Sequence, residues 1–278
     1  MILSLKNSSI WLEVQRYCEL LHVLVVRNLK VRYRGSFLGV YWSLLNPLIM
    51  TSLYSAIFGK AFVSTSYQEG GAVKYYYDGS ILQYALAAFT GLVVINFFSA
   101  ATTQALSSVV GNGSILNKIR LPVSIFPLSM IAANIFQLSV GVFPLLAIVT
   151  LVKSKSILNV LALILPFSAL VLVCAGVGFL VSALYVFFRD LPYFYELVVF
   201  VFWLSSPVFY PAKFVSAEIR QFLYLNPLFP IIESIRQISL EGEFNLDLIG
   251  SALLSGIIIL SLGWTCFHLW RSQFMDLL

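Results

Sequence analysis

The segment GSFLGVYWSLLNPLIMTSLYSAIFG, residues 35–59, runs for 25 residues without a charged side chain, between Arg34 and Lys60. A helix needs about 20 apolar residues to cross a bilayer, so this stretch is long enough. Five more stretches lack charge: 79–117, 121–152, 156–188, 197–212 and 248–270. Four of these have the required length, whereas 197–212 is short and carries Pro207 and Pro211. Across the 278 residues, 60% are apolar and only 10% charged, against about 25% charged in a soluble domain. Such a chain cannot wet its own surface, which excludes a soluble globule, a disordered chain and a disulfide-stapled secreted fold. Backbone groups in hydrocarbon must satisfy one another, so the spans are helices; no segment has the ten-residue alternation of a membrane β-barrel. The sequence therefore predicts an all-α polytopic membrane protein of one domain. Its six transmembrane helices are expected at 36–59, 81–110, 122–152, 158–188, 192–211 and 248–270.

Orientation follows from the basic residues. With the N-terminus in the cytoplasm, the inner segments hold ten Lys and Arg and the outer ones seven. Arg27, Lys30, Arg32 and Arg34 gather just before the first span. The outer segments also carry seven acids, so the net charge of +5 falls inside. Both termini are expected in the cytoplasm. No cleavable leader is expected, because the early apolar run Leu20–Val26 is too short for one. Cys18, Cys174 and Cys266 are scattered and suggest neither a disulfide nor a metal site.

Between and beside the spans, four segments stand out. Residues 10–34 read as an amphipathic cytoplasmic interface helix. Glu13, Arg16, Arg27, Lys30 and Arg34 recur on one face, and Trp11, Val14, Cys18, Leu21 and Val25 on the other, as in helices that lie on an anionic leaflet. Gly35 and Gly39 form a GxxxG pair of the kind that lets helices approach closely, and Pro47 should kink the first span. The glycines at 111 and 113 stop the second span and Pro122 opens the third. Residues 111–121 between them form a coupling knuckle carrying Ile115, Leu116, Lys118 and Arg120. Residues 60–79 are expected to be an outer loop whose tyrosines 75–77 suit the headgroup belt. The segment 213–247 is too apolar for a plain loop and reads as short re-entrant helices in the outer leaflet.

The chemistry that is missing narrows the function. The middle of each span lacks Asp, Glu, Lys and Arg, which disfavours an ion-coupled carrier. Neither a phosphate-binding loop nor a grouping of His and carboxylates is visible. No catalytic residue, metal ligand or cofactor is assigned, and the chain is read as a permease rather than an enzyme. Six spans are few for a solitary path, whereas a two-fold dimer would give twelve, and energy would have to come from a soluble partner. Aromatic residues make up 15% of the chain. Tyr41, Trp42, Tyr54, Phe58, Phe97, Phe98, Phe202, Trp203, Phe209 and Tyr210 lie on or near spans one, two and five. They either line a path on which sugar rings slide or serve lipid contact and packing. The spans hold few polar groups, mainly the amides Asn46, Asn96, Gln104, Asn134 and Gln137.

The stretch LVVRNLKVRYRGSFLGVYWSLLNPL at 24–48 resembles the membrane subunit of polysaccharide-exporting ABC transporters, the type-two exporter permeases. So do NKIRLP at 117–122, FRDL at 188–191, SSPVFYP at 205–211, LNPL at 225–228 and ESIR at 233–236. The resemblance implies a homodimer in the bacterial inner membrane, paired with two ATP-binding cassette subunits that hold ATP and Mg. It implies export of a lipid-linked glycan, O-antigen foremost, with capsule or teichoic acid as alternatives and a related lipid or drug exporter behind them. Its partners would be lipids, glycan and ATPase, with no nucleic acid. It places ATPase docking on the N-terminal helix and the knuckle, on Arg27, Lys30, Arg34, Ile115, Leu116, Lys118 and Arg120. The glycan path would fall to Tyr41, Trp42, Tyr54, Phe58, Phe202, Trp203, Phe209 and Tyr210.

Overall fold

A computed structural model of the chain describes residues 2–69, 72–116, 118, 121–211 and 214–274. The chain begins with α1 (Ile2–Arg32), which starts earlier than the amphipathic pattern suggests. Gly35 (φ 75°) and Gly39 (φ 52°) then turn the chain in the left-handed region that favours glycine. Neither lies in an α-helix, and an added Cβ on either would meet nothing within 4 Å. The GxxxG pair thus makes a turn and not a helix contact. A 3₁₀ turn at Gly39–Tyr41 leads into α2 (Trp42–Ser64), with Pro47 buried inside it. Where a plain loop was expected, β1 (Ser66–Glu69) and β2 (Ala72–Tyr75) pair antiparallel, with Ser66 opposite Tyr75.

Next come α3 (Ile81–Ser108), α4 (Gly113–Leu116), α5 (Ile125–Gln137), α6 (Phe143–Ser154), α7 (Ile157–Ala162) and α8 (Ile164–Phe187). A π-helical segment, Leu138–Val142, joins α5 to α6. The chain continues through α9 (Leu191–Ser205), α10 (Ala217–Leu223), α11 (Leu228–Arg236), a second π segment at Gln237–Glu241, and α12 (Leu246–Trp270). Among the described residues, five helical runs are long and apolar enough to cross a membrane: 39–64, 81–108, 125–154, 157–187 and 246–273. The sixth apolar stretch yields only α9, whose 15 residues reach roughly 22 Å. Pro207 explains the early stop, since a residue before proline leaves the helical region; Ser206 is extended at ψ 139°.

α3 and α8 form the centre, with Phe98, Ala101, Leu170, Val173 and Cys174 fully enclosed. Toward the hairpin end, a large apolar cluster adds Leu146, Ile249 and four isoleucines of α11 and the following π segment (Ile231, Ile232, Ile235, Ile238). Toward the other end, a second cluster joins Leu24 of α1 to Leu116, Phe126, Phe179, Phe267 and Phe274. The segment after α9 is therefore core rather than loop: Leu228, Ile231, Ile232 and Ile235 are all 0% exposed.

Two polar clasps hold that segment in place. Asn226 donates from Nδ2 to Ser205 Oγ (2.9 Å) and Ser206 Oγ (3.0 Å), while its Oδ1 accepts from the Leu228 amide (2.9 Å). It ties the last turn of α9 to the first of α11. Arg236, 5% exposed, donates to the carbonyls of Ala87 (3.1 and 3.2 Å), Val208 (3.1 Å) and Pro207, and meets Glu233 at 3.5 Å. The chain break after α9 frees carbonyls that a helix would have used, and the guanidinium takes them up.

α8 and α12 touch backbone to backbone. A Cβ on Gly263 would run into the Gly176 carbonyl, and one on Gly176 into the Ile259 carbonyl. Such small residues let helices pack without a hydrophobic drive. Gly263→Ala or Gly176→Ala is expected to force the helices apart at a cost of about 1–3 kcal/mol. Gly250→Ala, which meets nothing within 4 Å, should leave stability unchanged. Thermal unfolding in detergent, followed by tryptophan fluorescence, separates the two cases.

Candidate functional site

α1 lies against α5 and the end of α3, and the seam between them is polar. Arg27 Nη2 donates to Asn112 Oδ1 at 2.9 Å, and Asn28 Nδ2 to Ser129 Oγ at 3.1 Å. Arg32 donates to Asn134 Oδ1 at 3.1 Å and also to Gln104 and Gln137. Asn134 Nδ2 closes the group on Gln104 Oε1 at 3.0 Å. Three of the five span amides thus converge on one guanidinium. A half-buried arginine is tolerable because uncharged amide oxygens take its N–H groups. The packed stripe of α1 is Tyr17, Leu20, Leu21, Leu24, Arg27, Asn28 and Arg32. Val14 and Cys18, expected on the apolar face, are exposed. The exposed Val14 and Cys18 lie where a helix resting on the leaflet would meet lipid, while the packed stripe faces a surface lined with amides.

The docking candidates divide into two groups. Lys30 on α1, Arg34 in the turn just past it and Lys118 on the knuckle are exposed. Arg27 is half-buried and spent on Asn112, while Leu116 (3% exposed) belongs to the second apolar cluster; Ile115 is half-buried. Arg120 lies outside the described residues. Asn112 also donates from Nδ2 to the Ser108 carbonyl at 2.7 Å, capping α3. The Arg27–Asn112 bond therefore binds α1 and the knuckle into one unit.

The aromatic candidates also divide. Tyr54 and Phe209 sit 3.8 Å apart between ring centres, with Phe58 stacked on Tyr54 and Trp203 5.2 Å from Phe209. Phe202 meets Phe98 edge to face at 5.3 Å. These rings join α2, α3, α9 and the non-helical residues after α9. Phe200, which was not singled out in the sequence, extends the row by stacking on Trp203. Tyr41 and Trp42 are exposed at the opposite end of α2, and Tyr210 Oη reaches the Leu204 carbonyl at 3.4 Å.

Beside Tyr41 and Trp42 a cavity of about 530 Å³ opens next to the seam, lined by Arg32, Tyr33, Trp42, Asn46, Asn96 and Gln137 among others. Burial raises the Tyr33 phenol, and the neighbouring Arg32 charge offsets this only in part. Tyr33 therefore stays a neutral hydroxyl at neutral pH. Hydroxyls and amides of this kind can bind polar, uncharged groups.

A multi-pass helical body with apolar outer faces and a cavity lined partly by amides and hydroxyls fits a membrane permease. The chain belongs to the ABC-2 type transporter family, whose sequence profile matches residues 19–240. It is 28% identical over 262 residues to the O-antigen export system permease protein RfbA of Klebsiella pneumoniae, covering 94% of this chain and 95% of that one. Similarity extends to RfbA of Myxococcus xanthus (26% over 238 residues; 82% and 83% covered). It also extends to the polysialic acid transport protein KpsM of Escherichia coli (21% over 235 residues; 83% and 84% covered).

Arg32→Ala would leave the Asn134 and Gln137 oxygens short of a donor and Gln104 Oε1 with Asn134 Nδ2 in place of two partners. The expected cost is about 1–3 kcal/mol, concentrated at α1. Hydrogen exchange in α1 and α5 should accelerate in this variant, whereas Lys30→Ala, at an exposed site, should leave exchange as in the parent protein.

Proposed function

We propose that the chain is the membrane half of an ATP-driven exporter of a lipid-linked polysaccharide of the O-antigen type. Two copies form the path across the bacterial inner membrane, and two ATP-binding subunits drive it. The observation that carries this reading is the exposed basic set Lys30, Arg34 and Lys118 on two elements locked together by Arg27 and Asn112. A rim of that kind suits a soluble partner, and the sequence contains no phosphate-binding loop of its own. The likeness to two O-antigen export permeases and a polysialic acid transport protein over most of their length supports the glycan as cargo.

In this arrangement both termini face the cytoplasm and the hairpin faces outward. α9 makes the fifth crossing together with the non-helical residues 206–211 that follow it. α10 and α11 are the re-entrant outer helices. Non-helical backbone is tolerated at membrane depth when protein covers it, and the clasps of Asn226 and Arg236 supply that cover. The second copy would sit against α2 and α9, where Leu53, Ile57, Leu197, Val201 and Leu204 are all more than half exposed. That seam places the Tyr54–Phe209–Trp203 rings beside the two-fold axis, as a surface on which sugar rings slide.

Charge reversal of the three exposed bases (Lys30→Glu, Arg34→Glu, Lys118→Glu) should leave the permease folded and inserted. It should reduce co-purification of the ATP-binding subunit and surface glycan by tenfold or more. Undiminished export in the triple variant would remove the docking assignment. Arg27 is a poor test residue, since its loss also breaks the seam.

A further inference from the structure

A second cavity, about 560 Å³, lies at the hairpin end and belongs to neither the basic rim nor the ring row. It falls within the roughly 300–1,000 Å³ of small-ligand sites. Its walls combine aromatic planes with hydrogen-bonding groups. Tyr75 and Tyr224, both 54% exposed, flank it, and Tyr224 rests on buried Phe229 at 4.7 Å. Tyr77 and Asp78 project from consecutive left-handed residues (φ 55° and 52°), a conformation costly outside glycine. Gln237, at the start of the second π segment, has its Oε1 buried with no hydrogen-bond partner. Burial also holds the Tyr77 phenol above its usual range, so it remains a protonated donor at neutral pH.

The charge of the lining is one-sided. Among the described lining residues the acids Asp78, Glu233, Glu241 and Glu243 outnumber Arg236, whose guanidinium is committed to three carbonyls and Glu233, while Lys153 reaches the rim by donating to Gln83 at 2.7 Å. Among the described residues these acids do not converge into a group that could hold a metal ion. Tyrosine faces carry negative quadrupole charge that attracts C–H edges, and carboxylates and amides accept hydrogen bonds from hydroxyls. An anionic guest would meet like charge, which selects against it.

We infer that this outer cavity is a carbohydrate-binding site for uncharged hexopyranose units, which discriminates against sugars bearing carboxylates. The inference rests on the export reading and deepens it: the polymer handled at the outer face would be a neutral glycan. Tyr75 and Tyr224 would stack on the sugar, and the exposed Asp78 carboxylate would accept from a hydroxyl.

The test is binding of maltoheptaose and of heptagalacturonate to the permease in lipid nanodiscs, read by saturation-transfer NMR. Maltoheptaose should bind at least tenfold more tightly. Tyr224→Ala should weaken it fivefold or more and Tyr224→Phe should restore it. Glu241→Gln with Glu243→Gln should strengthen heptagalacturonate severalfold and leave maltoheptaose unchanged. Equal affinity for the two sugars, binding of neither, or indifference to Tyr224→Ala would overturn the site. ATPase stimulation by lipid-linked glycan, measured with the partner subunit added to the same nanodiscs, tests the export reading separately. A complex that is stimulated but ignores both sugars loses the cavity assignment and keeps the exporter.

Discussion

The constraint on which this structure depends is that polar groups enclosed in an oily body must find their partners inside it. Two arginines answer it, one toward each end of the bundle. Arg32 gathers the oxygens of Gln104, Asn134 and Gln137 and so fixes α1 to α5. Arg236 gathers the carbonyls of Ala87, Pro207 and Val208 and so holds the broken chain after α9 against α3. Neither is satisfied mainly by a carboxylate. Neutral oxygens suffice, because the guanidinium presents five donors in a fixed fork. The apolar clusters between the two ends supply bulk cohesion, but these two residues decide where the irregular pieces attach.

Much of this was legible in the amino-acid order. Charge-free runs and the span rule gave a helical, multi-pass body, because a bilayer admits few alternatives. The short fifth run with Pro207 foretold an interrupted helix, and α9 does stop at Ser205. Other features were hidden because they depend on partners distant in the chain. The hairpin at 66–75 gives no strong alternating signal. The face of α1 could not be fixed from its own residues, since amides some 70 to 105 positions away decide it. Gly35 and Gly39 matched a packing motif but serve a turn, while the true close contact, Gly176 with Gly263, has no local spacing to reveal it.

Of the proposed site, residue types were easier to read than their allegiances. A basic helix and a knuckle stood out, yet only the structure separates the exposed Lys30, Arg34 and Lys118 from the engaged Arg27. The aromatic list held most of the ring row, because aromatics near proline breaks cluster in space. It could not exclude Tyr41 and Trp42 from that row, since they lie at the other end of the same helix. Arg236 was counted merely as an outer charge. Its short spacing from Glu233 was visible, but its burial among carbonyls comes from the fold.

The turn at Gly35 and Gly39 has a mechanical consequence. Both glycines sit in open space with left-handed backbone, so no side chain at either one braces the joint between α1 and α2. A push applied to α1 would be transmitted poorly through that joint. It would pass sideways instead, through the Arg32 amides into α5 and through Asn112 into the end of α3. α1 would then work as a lever whose fulcrum is the amide seam, while the first crossing stays packed on α3.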